Sequence, residues 1–271
     1  MKSSTAIDDA SSYREVRGLT RGLAVLRALN EMPGGIGTVA GLARTTGIHR
    51  TTVKRLLETL RAEGFVHQKD EGTSYSLGFE VRRLSEGYVA ADWIDQVAAP
   101  AMREHLRALS WPSDLATPDG GFMIVRESTH RASLLSQHRA TIGIRVPMLV
   151  SSLGRAWLSW CAEEEREATL ALLRSRTDSI GKMAHDSEYV KRIIRETRKR
   201  GYAMNRGEWA SEASVIAIAF PILVGHHAIG AINLVLQRNA MSEREIAIRY
   251  VPLLRTLAEK ISAGVASSTR G

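Results

Sequence analysis

The chain has 271 residues and a mass of 29.8 kDa, enough for two domains that each bury a core. Hydrophobic residues make up 44% and charged residues 24%, an ordinary globular balance that excludes a wholly disordered or collagen-like chain. The 37 basic residues exceed the 29 acidic ones, and a net charge of +8 points to an acidic partner such as nucleic acid. Cys161 is the single cysteine, so an internal disulfide is excluded, and no CxxC pair exists to hold zinc. The N-terminus is polar and lacks the apolar stretch of a signal peptide. The longest apolar run, 215–224, contains Pro221 and is half the roughly 20 residues that a membrane-spanning helix needs. It reads as a buried strand, and the chain as a soluble cytoplasmic protein without a membrane partner.

In chain order, residues 1–18 read as a flexible arm. Thr20 is placed to cap a helix carrying Leu23, Leu26 and Leu29, which Pro33-Gly34-Gly35 ends. A short second helix spans about 38–45, and Gly47 supplies the turn into a third helix over about 49–63. Ala43 is small where two helices cross, Gly47 follows four residues later, and Leu42, Ile48, Val53 and Leu56 fill a small core. Together these have the internal spacing of a helix-turn-helix. Phe65-Val66 and 74–77 then bracket the polar tip 69–72 as a two-stranded wing would. Residues 19–78 thus form a winged helix-turn-helix and 79–94 a charged connecting helix. Residues 95–271 form a larger mixed domain with glycine-bearing turns.

On the third helix, Val53, Leu56, Leu57 and Leu60 form one stripe. At 100° per residue Thr51 and Arg55 point away from it, with Thr52 and Lys54 on the flanks. His49 and Arg50 occupy the first turn, the part of a recognition helix that meets base edges. Arginine can bond guanine bidentately and threonine can touch a thymine methyl. Arg17 and Arg21 ahead of the motif, and His67, Gln68 and Lys69 on the wing, suit phosphate or minor-groove contacts. The surplus charge is not concentrated here. Residues 1–90 hold 13 basic and 10 acidic groups against 24 and 19 in the remainder, so spacing carries the reading.

Catalysis finds no support. The eight histidines show no HxH or HExxH pairing, and His226-His227 would diverge on a strand. Gly35-Ile-Gly37 followed by Gly41 has the wrong spacing for a dinucleotide loop and reads as a break between helices. No G-x-S-x-G elbow or phosphate-cradling GK[ST] is present. No metal, cofactor or enzymatic activity is expected. The alternative from another class is a ligand-binding module whose winged helix mediates protein contacts.

Several segments resemble the IclR family of transcriptional regulators: Arg17-Gly-Leu-Thr-Arg-Gly-Leu23, Gly47-Ile-His-Arg-Thr-Thr-Val-Lys-Arg-Leu-Leu57 and Leu60-Arg-Ala-Glu-Gly64. Gly143-Ile-Arg-Val-Pro-Met148, Ser152-Leu-Gly-Arg-Ala156, Gly201-Tyr202 and Ala217-Ile-Ala-Phe-Pro221 extend the likeness over nearly the whole chain. Arg126-Glu-Ser-Thr-His-Arg131, His138-Arg139 and Trp111-Pro-Ser-Asp114 are similar to the branch that activates hydroxyphenylpropionate catabolism. The resemblance implies an α+β chain: winged helix-turn-helix, linker helix and a C-terminal GAF-like effector domain, its antiparallel sheet flanked by helices. It also implies homodimers or homotetramers on a pseudo-palindromic operator, with effector binding transmitted through 79–94.

The family's effector pocket, carried over, is lined by Ser152-Leu153, Asn205, Ala217, Asn233 and Val235. Members that bind small keto acids have Asp, Cys and Ser in place of Asn205, Ala217 and Val235. The replacements imply a less acidic, more apolar cavity suited to an aromatic carboxylate, with Met148, Trp209 and Ile218 as further lining. A buried carboxylate needs a cationic or donor partner, and Arg126, His138 and Arg139 are the candidates. The resulting expectation is an activator of an aromatic-acid operon. The alternative is a repressor that leaves DNA on binding a small organic acid.

Overall fold

The computed structural model describes residues 15–69, 74–84, 93–136, 141–209 and 212–268, in two units that divide between residues 88 and 89.

The first unit is three helices and a small sheet. Helix α1 (Arg17–Glu31) begins three residues before the expected cap. The Val16 carbonyl already accepts from the backbone N–H groups of Leu19 and Thr20, so Thr20 is inside the helix and Arg17 and Gly18 leave the expected arm. Its core face is Val25, Ala28 and Leu29, while Leu23 is 44% exposed. Ile36–Thr38 forms β1, a strand where the sequence read only a break between helices. Helix α2 (Val39–Thr46) is capped by Thr38, whose hydroxyl oxygen accepts from Gly41 N–H at 3.1 Å. It ends at Gly47 with φ 68°, the left-handed conformation anticipated there. Helix α3 (Arg50–Ala62) follows, and its Val53 and Leu57 pack with Leu29, Leu42, Val66 and Tyr75. Strands β2 (Val66–Lys69) and β3 (Ser74–Leu77) pair antiparallel as the wing, with β1 on the other edge of β3. Helix α4 (Glu80–Arg83) lies in the expected connecting segment, most of which (85–92) is outside the described residues.

The second unit opens with a π-helical turn (Ile94–Ala98) and α5 (Ala99–Leu109). Strands β4 (Asp114–Asp119), β5 (Phe122–Ser128) and β6 (Arg145–Pro147) lead to α6 (Ser152–Trp160). Helices α7 (Glu163–Arg174), α8 (Ser179–His185) and α9 (Ser187–Arg200) follow. Strands β7 (Ala203–Asn205), β8 (Val215–Val224) and β9 (His227–Gln237) and helices α10 (Glu243–Arg249) and α11 (Val251–Ser268) complete it. The six strands form one antiparallel sheet in the order β6-β5-β4-β9-β8-β7.

Both faces of this sheet are covered, and side-chain size differs between them. Ile216, Ile218, Phe220 and Ile222 of β8 pack with Leu254, Leu257 and Ile261 of α11. Ala219 of β8 and Ala231 of β9 pack on the other face with Leu153, Ala156 and Trp157 of α6. Small residues let α6 approach closely. Gly154 extends this, since a Cβ there would collide with the Met148 backbone. Pro221 is tolerated in β8 because β7 pairs only with Ala217, Ile218 and Ala219, so no rung is lost on that side. No described helix is long and apolar enough to cross a membrane.

Candidate functional site

The first candidate surface is the outer face of α3. His49, Arg50, Thr51 and Arg55 are exposed and Thr52 is half-buried, as their angular positions predict. The Thr51 hydroxyl is 2.8 Å from Nδ1 of His49. If it donates there, the second imidazole nitrogen is left as an outward donor. Among the described residues Arg50 and Arg55 have no ion-pair partner, so both guanidinium groups are free for an external anion. Arg17, Arg21, His67, Gln68 and Lys69 are exposed on α1 and the wing. Arg44, exposed in the last turn of α2, adds a cation that the sequence reading passed over.

Lys54 is placed differently from the expectation. Its ammonium group is 2.8 Å from Oε1 of Glu58 and also bonds the Tyr75 hydroxyl, which donates to Glu58 at 2.8 Å. Arg61 closes the group on the other oxygen of Glu58 at 2.7 Å. Lys54 therefore ties α3 to β3 instead of projecting as a free reading group. Hydrogen bonds from Lys54, then Tyr75 and Arg61, hold the Glu58 carboxyl down at about 2.

The second candidate site is a cavity of about 110 Å³ between the sheet and the start of α6. An apolar cavity of about 150 Å³ holds benzene, so the scale is that of a single ring. Seven of the residues expected at such a site line it: Ser152, Leu153, Asn205, Trp209, Ala217, Asn233 and Val235. The α6 start is fixed by the Ser151 hydroxyl oxygen, which accepts from Gly154 N–H at 3.1 Å. Asn205 bonds the Val150 carbonyl through Nδ2 and accepts from Gly207 N–H at 2.9 Å. Arg155 binds the Leu149 carbonyl at 2.9 Å, the Met204 carbonyl at 2.8 Å and Glu208 at 2.9 Å, joining three segments of the wall. Burial works against the Glu208 carboxylate, but the Arg206 N–H and the Arg155 guanidinium outweigh it and keep the carboxyl below its ordinary range.

Three expected lining residues lie elsewhere. Ile218 follows Ala217 on a strand and therefore points to the opposite face, into the α11 core. Arg126 alternates in the same way with the lining residue Val125. It bonds Thr117 Oγ1 at 2.9 Å and lies 3.9 Å from Asp119. Met148 is fully buried in the core beneath α6 and does not line the cavity. His138 and Arg139 lie outside the described residues.

The cavity also holds polar groups that were not assigned to it. Asp114 and His130 are 6% and 4% exposed, with Asp114 Oδ2 3.3 Å from His130 Nε2. Thr141 donates to Asp114 Oδ1 at 3.0 Å, and Ser136 Oγ is 2.6 Å from His130 Nδ1. With Glu212 this gives two carboxylates on the wall, so the cavity is not the less acidic one anticipated from Asn205, Ala217 and Val235. Among the described residues no cluster of His, Cys, Asp and Glu is arranged to hold a metal ion.

Residues 18–70 match the IclR helix-turn-helix domain and residues 87–263 the C-terminal domain of bacterial IclR transcriptional regulators. The chain belongs to the IclR family. Its family members are DNA-binding transcriptional regulators rather than enzymes. The chain is 27% identical over 214 residues to the transcriptional repressor IclR of Escherichia coli, covering 76% of this chain and 74% of that protein. It is 26% identical over 239 residues to the Pca regulon regulatory protein of Pseudomonas putida, covering 87% and 79%. An IclR homologue from Microbacterium hydrocarbonoxydans, solved in complex with 4-hydroxybenzoate, shares the fold with a TM-score of 0.62 at 23% identity, covering 92% and 99%. In this IclR-family chain Asp114 and His130 had a usable signal: both fall in segments that set the branch likeness, but pairing across β4 and β5 was needed to bring them together.

Proposed function

We propose that this IclR-family regulator binds a pseudo-palindromic operator as a dimer or tetramer and activates an aromatic-acid catabolic operon. Its effector is a phenylpropionate-like or related aromatic carboxylate, and it acts in the cytoplasm. The observation that carries this reading is the ring-scale cavity, walled by Val125, Val146, Leu153, Val215, Val235 and Trp209 and interrupted by a few convergent polar groups. The ligand carboxylate has hydroxyls and the N-terminal end of α6 available at Ser151 and Ser152. His138 and Arg139 remain candidates for it, because their segment begins and ends at Ser136 and Thr141, both bonded into the polar cluster of the cavity wall. That a protein of this fold is known with 4-hydroxybenzoate fits such a ligand. The ligand would favour one of two arrangements of the oligomer, with 79–94 joining the two units.

On the DNA side, the free guanidinium groups of Arg50 and Arg55 support α3 as the reading element, with His49, Thr51 and Thr52 beside them. Footprinting on the promoter region of the chain's own gene tests this. Arg55→Ala should weaken specific binding at least tenfold, the effect of losing about 1–3 kcal/mol of base discrimination, and leave effector affinity intact. Unchanged operator affinity removes Arg55 from the reading face. Transcription with and without ligand separates activation from the repressor reading, which the names of the Escherichia coli and Salmonella relatives favour.

A further inference from the structure

Asp114 carries a specificity that an apolar cavity for an aromatic acid does not require. It opens β4, is 6% exposed and faces the cavity. Oδ1 accepts from Thr141 and Oδ2 lies beside His130, which takes up about half of the roughly four acceptor positions of a carboxylate. No lysine or arginine is among the described residues lining the cavity. Across the ladder, Asn233 Oδ1 accepts from the Asp114 N–H at 2.7 Å, so this amide has only its NH₂ group left to offer. An acceptor and a donor thus stand on neighbouring strands, the pair of functions that a hydroxyl group satisfies. A second ligand carboxylate at this point would meet like charge.

We propose that Asp114 is a specificity-determining residue that receives a hydrogen-bond donor on the ligand, with Asn233 as the complementary donor. The effector therefore carries a hydroxyl group in addition to its carboxylate. The inference rests on reading this cavity as the effector site. Removing the donor from the ligand strands the Asp114 acceptor positions in a desolvated wall, and such a site discriminates strongly against the analogue that lacks the group.

Calorimetry on the full-length protein tests it with 3-phenylpropionate, 3-(3-hydroxyphenyl)propionate and the methyl ether of the latter. Wild-type protein should bind the hydroxyl compound about 10- to 100-fold more tightly than the other two. Asp114→Asn, close in shape, should cut that ratio about tenfold, because the bond loses its charge assistance. Equal affinities in wild type, or a ratio unchanged in the variant, overturn the proposal. If none of the three acids binds, phenol against anisole decides. Phenol binding that Asp114→Asn abolishes keeps the subsite and rejects the aromatic-acid effector, whereas no phenol binding rejects both.

Discussion

Arg155 shows how one buried side chain sets a wall of the effector cavity. Its guanidinium satisfies two backbone carbonyls and Glu208, and so holds the loop before α6 against β7 and the 206–209 turn. Arg155→Met should destabilise the second unit by about 2–4 kcal/mol, since buried acceptors lose their donors. Urea unfolding followed by tryptophan fluorescence measures this, and a loss below about 0.5 kcal/mol would show that water replaces the guanidinium. The sequence made Asn205, Ala217, Asn233 and Val235 legible as lining residues through a family likeness, and the structure places all four on the wall. It did not separate Ala217 from Ile218, although alternation on a strand forbids them a common face. Asp114 and His130 stayed hidden for a different reason. Their meeting depends on the register of β4 against β5 and on a loop returning at Thr141, which no local pattern encodes.

At the scale of elements, α3 and the wing are coupled by Glu58. Its carboxyl is drawn from 4.5 down to about 2 by hydrogen bonds from Lys54, Tyr75 and Arg61. A depressed acid stabilises the fold fully above its unfolded value, and that contribution fades as pH falls through the folded one. The attachment of the wing should therefore weaken between about pH 4.5 and pH 2. Glu58→Gln should lower stability at neutral pH and flatten the profile across that window. Denaturant midpoints at several pH values measure it, and parallel profiles for variant and wild type would show that Glu58 does not couple the elements. The helices and the wing of this unit were readable because periodicity, Gly47 and the turn residues agree locally. Strand β1 was not, because three residues flanked by glycine carry no alternation and owe their conformation to pairing with β3. Likewise α1 starts early because backbone bonds to Val16 form without any capping side chain.

For the whole molecule, the first unit leaves an apolar stripe uncovered. Val16, Leu19 and Leu23 recur at i, i+3 and i+7 on α1 and are 67%, 62% and 44% exposed. Such a stripe is a natural self-association surface, and it supports the proposed dimer. The double change Leu19→Glu and Leu23→Glu should shift the assembly toward smaller species in sedimentation velocity, with the melting temperature of the monomer little changed. An unaltered distribution would place the interface elsewhere. The unequal faces of β8 have a consequence for how receptors of this kind diversify. The layer of isoleucine and phenylalanine beneath the sheet keeps the scaffold rigid, whereas the alanines above it border the ligand chamber. Exchanging Ala217 for valine or glycine would rescale that chamber by a methyl group or so at small cost to the framework. Substrate range could then drift while the operator-binding half stays untouched.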